Sequence, residues 1–401
     1  MIRVLVVVTA GVCVAWLSGC GGEQEGVWRV ETVEQLHLAV EGCEPGDEIV
    51  IDPGRYRLRR TLQVNQPHVV IRGRTGKPEQ VVLHGAGMNS PEWPHVAFRL
   101  ADDGIELRDL TISDFWQYGV VCSGREPARV LPDRLVLSNL RIRNCGARHI
   151  KAVYSRDESV GVLIEKVHCT QTEKYLRRPG HPVDSNNYIG GIDCMKTRDW
   201  IIRDCRFENI RGATGGGRGA IFMWIGSVNP LIERNVIVNC GAAICLGNGH
   251  NPDGIYQVSG GIVRNNFVYH PGGWRAVELG FVRNVHFVHN TVYAANPESR
   301  TIDIYDRQAI PTKGLVLRGN LIRGRFSDRT RARKVDTTGN LADPAIPPEW
   351  FQDAPSGRLF LTGKAKEAID RVPLLPEAPE DILGRRRPAG QRADCGAHEK
   401  P

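Results

Sequence analysis

From residue 105 onward the sequence repeats one interrupted rhythm: IELRDLTI at 105, LVLSNLRI at 135, WIIRDCRF at 200, LIERNVIV at 231, GIVRNNFV at 261, VHFVHNTVY at 285 and LVLRGNLI at 315. Each copy is a burst of alternating apolar residues, then Asn, Asp or Gly, then a second burst. Taking Asp109, Asn139, Asp204, Asn235, Asn265, Asn290 and Asn320 as markers, the gaps are 30, 65, 31, 30, 25 and 30 residues. A weaker copy, VLIEKVHC at 162–169, divides the long gap. A recurrence of this length signals stacked units, each too small to bury a core alone.

Period-two alternation in bursts of three to five residues means short strands. Asn and Gly accept a left-handed backbone, so a strand can bend sharply at the marker without ending. A second strand family follows the markers: GGIDCM at 190, GAIFMW at 219, AAICLG at 242, RAVELG at 275 and TIDIYD at 301. One coil therefore holds at least two strands, a tight polar corner and a variable loop. Coils of this kind, stacked in parallel with right-handed connections, form a right-handed parallel β-helix, an all-β single-chain solenoid. No segment past residue 60 keeps a helical stripe through three turns. A propeller would need blades of about 40 to 45 residues with Trp-Asp signatures, and none appears. VETVEQLHLAV at 30–40 has the spacing of a short helix that caps the first coil. Cysteines 122, 194, 205 and 240 sit among Val, Ile and Phe, as small residues stacked inside the coil. Asn235, Asn265, Asn290 and Asn320 read as a corner ladder.

The ends divide the chain further. Arg3, an apolar run from Val4 to Trp16 and Leu17-Ser18-Gly19-Cys20 form a secretory leader too short to span a bilayer, which needs about 20 residues. Leu-Ser-Gly-Cys resembles the bacterial lipobox, which implies lipidation of Cys20 and a place in the bacterial cell envelope, outside the cytoplasm. The expected organisation is a signal peptide over 1–19, a tether over 20–26, the β-helix over 27–325, and strands and a tail closing it over 326–401. Past the leader the chain carries +6, since Arg3 is the leader's one charged residue. That excess suits an acidic polymer without demanding one, and nothing in the pattern points to nucleic acid. Nine cysteines remain after Cys13 and Cys20, an odd number that argues against a fully paired disulfide framework, and no Cys-x-x-Cys marks a metal ribbon.

Pro45-Gly46-Asp47 followed by Gly54-Arg55-Tyr56 resembles the opening of pectate-lyase-like β-helix domains. The tail from Asp394 to Glu399 resembles the closing Asp-x-Gly-Ala-x-Glu of surface β-helix proteins, with Cys395 intervening. The segment 193–224 resembles lyases related to chondroitinase B and alginate lyase, whose strand ends in a lysine while the next coil presents an arginine. That resemblance implies roles for Lys196 and, because Trp224 occupies the matched arginine position, for Arg218 in the preceding loop. Where the family carries acidic metal ligands this chain has Ile189 and Gly191, with Asp193 nearby.

Alternation also lays out a grid. With Ile192, Ile221, Ile244, Val277 and Ile302 pointing inward, Asp193, Phe222, Cys245, Glu278 and Asp303 form one outward column. Met195, Trp224, Gly247, Gly280 and Tyr305 form the next. Aromatic faces beside carboxylates describe a sugar-binding groove in which Asp193, Phe222, Trp224, Arg275 and Tyr305 contact the chain. Two chemistries compete for it. Glu278 and Asp303, on neighbouring coils with Asp306 close by, suit hydrolysis of a glycosidic bond, or calcium, or mere neutralisation of Arg275 and Arg307. Lys196 with Arg218 suits elimination from a uronic acid, and the cations of KYLRRPGHP at 174–182 suit an acidic polysaccharide. No cofactor is required, Ca2+ being compatible with the acids. The expected function is a lipid-anchored protein that binds and cleaves a polysaccharide as lyase or hydrolase. A non-catalytic glycan-binding or structural rod is the rival, and membrane contact is expected through the anchor alone.

Overall fold

The computed structural model of the chain describes residues 26–401 apart from 125–129, 154, 156, 177–185, 252, 273–274, 298–299, 308 and 332–333. The leader, Cys20 and most of the cationic insertion lie outside the described residues. The described strands wind into a right-handed parallel β-helix with four ladders. Sheet A has eleven strands, from Val27–Val30 to Val316–Arg318, and sheet B eleven, from Gly54–Arg57 to Leu341–Ala342. Sheet C has ten, from Leu62–Val64 to Arg325–Arg329. Sheet D is a narrow fourth ladder of five two-residue strands between Ser159–Val160 and Val282–Arg283. Eleven strands at about 4.8 Å make a rod about 48 Å long.

The inward column is as the alternation requires: Ile192, Ile221, Ile244, Val277 and Ile302 follow one another in register and are fully buried. The helix Val33–Gly42, capped by Thr32 and Gln35, packs Leu36, Ala39 and Val40 onto the first coil and closes that end. The weak copy at 162–169 is a genuine coil, with Leu163–Glu165 in sheet A and His168–Thr170 in sheet B. All nine described cysteines are free and buried, and burial pushes the thiols of Cys122, Cys205 and Cys240 up to about 12.

The marker residues divide into two kinds. Asp109, Asn139, Asp204 and Asn265 hold the left-handed corner between sheets A and B, with φ from 48° to 63°. In the other three copies that corner falls one residue earlier, on Arg234, His289 and Gly319. Asn235, Asn290 and Asn320 therefore occupy the next, inward position, taken by Leu110, Leu140 and Cys205 in earlier coils. There they form a buried amide ladder: Asn235 donates to Asn266 (3.0 Å), Asn266 to Asn290 (2.9 Å), Asn290 to Asn320 (3.2 Å) and Asn320 to Asn340 (2.8 Å). The sequence-based ladder is corrected in one rung. Asn266 belongs to it, whereas Asn265 turns outward to donate to the Glu380 carbonyl.

The tail closes the far end. Phe351–Asp353 and Arg358–Leu361, the antiparallel strand pair among the described residues, lie with Trp350 and Ile346 over Phe267, Tyr293 and Leu321 of sheet B. Arg387 and Glu399 form a fully buried ion pair, and Arg387 also donates to Asn265.

Candidate active site on the outer face of sheet C

The outward column exists and is longer than the repeat suggests. Gln63, Arg99, Val121, Lys151, Asp193, Phe222, Cys245, Glu278, Asp303 and Ser327 succeed one another in register. Outward does not mean exposed, however. Asp193 is 2% exposed, Phe222 3%, Glu278 5%, Asp303 2% and Tyr305 9%. The expectation of an aromatic, open ribbon is corrected accordingly: side chains of the column cover one another, and Trp224 is the aromatic that keeps a half-exposed face.

The column holds two ionic clusters with an aromatic plate between them. In the first, Asp193 accepts from Arg148 Nε (2.8 Å), Lys151 Nζ (2.9 Å) and Trp224 Nε1 (3.0 Å). Burial opposes its ionisation, but Lys151 and Arg148 outweigh burial and pull the carboxyl down to about 2. Asp193 thus orients cations and the Trp224 ring and does not itself face a ligand. Trp224 stacks on Phe222 at 5.0 Å and 17°.

In the second cluster Glu278 and Asp303 are register neighbours, their backbones about 4.8 Å apart. Each has its own arginine. Arg275 Nε donates to Glu278 (2.7 Å), and Arg329 grips Asp303 through Nε (2.9 Å) and a terminal nitrogen (2.7 Å). The Tyr305 hydroxyl donates to Glu278. Burial, then the Glu278 charge, pushes that phenol far above its usual range, so it stays a proton donor. Gly280 makes room for it, since a methyl there would enter the Tyr305 ring. Glu278, Asp303 and Tyr305 share a cleft of about 490 Å³ with Arg275, Arg307, Arg329, Arg331 and Asp306. Asp306 is spent on the backbone N–H groups of Thr312 (3.1 Å) and Arg331 (2.8 Å). Arg275 and Arg329 are matched to acids, whereas Arg307 and Arg331 make no ion pair among the described residues. The cleft is therefore prepared for an anion.

The pairing of Lys196 with Arg218 is not realised. Lys196 sits past the end of its strand in a left-handed corner (φ 55°), its amide donating to Ile225. Arg218 precedes the neighbouring strand, seven registers from Ile225, or about 23 Å along it. Arg218 instead lies on the side of Cys245, whose thiol feels its charge together with that of Arg275. Nor do the acids assemble a calcium site, because Asp193, Glu278 and Asp303 are each taken by a cation. Among the described residues no group of three or more His, Cys, Asp or Glu side chains is placed to hold a metal ion.

Sequence reasoning missed Arg148, Lys151 and Arg329. The burst RHIKA at 148–152 carried the signal for the first two, following its marker as the later sheet-C strands do. Arg329 opens the basic run RTRARK at 329–334, past the last clear coil, where composition suggests contact with an anionic polymer but not the pairing with Asp303.

No protein-family model matches the chain, and no curated protein matches it either. Solved structures do. Pectate lyase Pel9A superimposes with a TM-score of 0.60 over 95% of this chain and 98% of that one, at 13% identity. An alginate lyase from Paenibacillus sp. str. FPU-7 does so with a TM-score of 0.48 over 70% of this chain and 93% of that one, at 16% identity. At such identities the likeness is one of architecture. The chain has the pectate-lyase-like parallel β-helix fold.

Proposed function

We propose that the protein binds an acidic polysaccharide across the outer face of sheet C and cleaves it by elimination in the cleft at Glu278 and Tyr305. The observation that carries this reading is the Tyr305–Glu278 hydrogen bond in a cleft where two further arginines, Arg307 and Arg331, make no ion pair among the described residues. Arg307 and Arg331 neutralise the sugar carboxylate, which acidifies the C–H beside it. Glu278 takes that proton, the bond to the leaving oxygen breaks, and a carbon–carbon double bond forms. Tyr305 gives its proton to the leaving oxygen. The proton on Glu278 then returns to the phenolate along their hydrogen bond, restoring both groups. Trp224 supplies a plate for a sugar ring further along the rod. Pectate lyase Pel9A, whose architecture the chain shares, acts on such a polymer by its name.

The test is ultraviolet absorbance of the unsaturated product on polygalacturonate and alginate. Tyr305→Phe and Glu278→Gln should each lower kcat by about 10²–10⁴-fold, and Arg331→Gln should both raise KM and lower kcat, since the carboxylate it neutralises acidifies the reacting C–H. New reducing ends without absorbance would assign hydrolysis by Glu278 and Asp303 instead. Binding without either product would leave a glycan-binding rod.

We also propose that acylated Cys20 anchors the protein in the cell envelope. Metabolic labelling with a fatty-acid analogue should mark the wild type and leave Cys20→Ala unmarked; equal labelling would refute the anchor.

A further inference from the structure

Sheet B carries a second groove, on a different flank of the rod. The tail covers the outer face of this sheet only from Val236 onward, its edge marked by Arg206 donating to the Ser356 carbonyl (3.0 Å). Before that edge a groove of about 330 Å³ crosses the face, flanked by the short helix Pro78–Gln80, whose Pro78 carbonyl accepts from Thr111 (2.7 Å). Arg55, Val82, Thr111, Arg141 and His168 follow one another in register along it, a run of about 19 Å. Arg143 and Thr170 line it from the adjacent column. The groove is thus long in the direction of the rod axis, the shape of a chain and not of a single ion.

Its polar groups are incompletely satisfied. Arg55 and Arg143 make no ion pair among the described residues. Arg143 Nε is buried without a hydrogen-bond partner, and so is Oγ of Ser113, its fully buried register neighbour. Buried polar atoms in proteins are nearly always bonded, so the orphaned Nε of Arg143, on the groove lining, marks a place where an outside oxygen fits. Arg141 meets Glu79 in an exposed pair at 3.2 Å, the kind that yields readily to a competing anion. Against that one lining acid stand Arg55, Arg141 and Arg143, while His168 is engaged by Glu208 at 2.8 Å. Val82 and the threonine methyls give a floor for the apolar face of a sugar ring.

We propose that this groove binds a segment of an anionic polysaccharide, with sugar carboxylates on Arg143 and Arg55, and so holds the polymer on the rod independently of sheet C. The guanidinium fork matches a carboxylate in two bonds. No covalent step is involved.

Affinity electrophoresis of the full chain tests it, in gels carrying polygalacturonate, dextran sulfate or a neutral β-glucan. Polygalacturonate should retard the wild type, and the Arg55→Gln/Arg143→Gln double variant should lose at least fivefold in apparent affinity while keeping its kcat on short oligosaccharides. Arg55→Glu alone, at an exposed position that folding does not need, should lose affinity in the same direction. Glu278→Gln should be retarded as the wild type is, which separates this groove from the cleft on sheet C. Unchanged retardation of both arginine variants would overturn the proposal. So would equal retardation by the neutral glucan, or retardation by dextran sulfate alone.

Discussion

Asp193 is the residue whose removal tests the ionic architecture of sheet C most directly. Its carboxylate is 2% exposed and compensates Arg148 and Lys151, themselves 2% and 8% exposed. A carboxyl drawn from the ordinary 3.8 to about 2 carries, at 1.36 kcal/mol per pH unit, on the order of 2–3 kcal/mol of stabilisation, with little screening because the group is buried. Asp193→Asn also strands two buried cations, and breaking such a cluster costs about 3–5 kcal/mol. We expect the variant to lose about 3 kcal/mol at pH 7 in urea unfolding followed by tryptophan fluorescence. The pH dependence is the sharper test. The folded carboxyl is depressed, so its contribution is whole above about pH 4, where the unfolded aspartate is ionised, and it fades as pH falls toward 2. Wild type and variant should therefore converge between pH 4 and pH 2. A loss under about 0.5 kcal/mol at pH 7, within the ordinary range for surface substitutions, would mean that Arg148 and Lys151 find other partners, and the account of this cluster would be wrong.

Other outcomes follow from the same geometry. Asn290→Leu removes a side chain engaged with Asn266, Val263, Val288 and Asn320 and should cost about 2–4 kcal/mol by urea unfolding; a neutral result would show that the amide ladder adds nothing to stability. Gly280→Ala drives a methyl into the Tyr305 ring and should cost about 1–3 kcal/mol, part of it recovered when Tyr305 is also replaced by Ala; additive losses would deny the contact. None of the nine buried, free cysteines should react with a thiol reagent in the native protein, and all should after denaturation, as read by peptide mass mapping.

How much was legible in the sequence depends on what kind of rule governs each feature. The inward column from Ile192 to Ile302 and the outward column beside it follow from strand alternation, which sheet C keeps over these five strands, so Glu278 and Asp303 could be paired from the sequence alone. The corner was harder. Asn at 235 and Asn at 265 look alike in the text, yet one lies inside the rod and the other outside, because the left-handed residue moved by one position. Exposure was not legible at all. Phe222 alternates outward, and only the coordinates show Trp224 lying on it. Lys196 and Arg218 failed as a pair for a related reason: sequence proximity across two coils says nothing about position along the strand.

The corner between sheets A and B has one further consequence. In eight successive coils, from Arg108–Thr111 to Arg318–Leu321, the turn inserts two residues and never more. The passage from B to C has no such limit, running from one residue after Arg323 to nineteen after Thr170. One edge of the molecule thus acts as a spine of constant pitch, and the passages into and out of sheet C absorb the insertions. Selection can lengthen or rewrite the segments flanking the cleft, and so change what the surface grips, without disturbing the frame on which the grip is built.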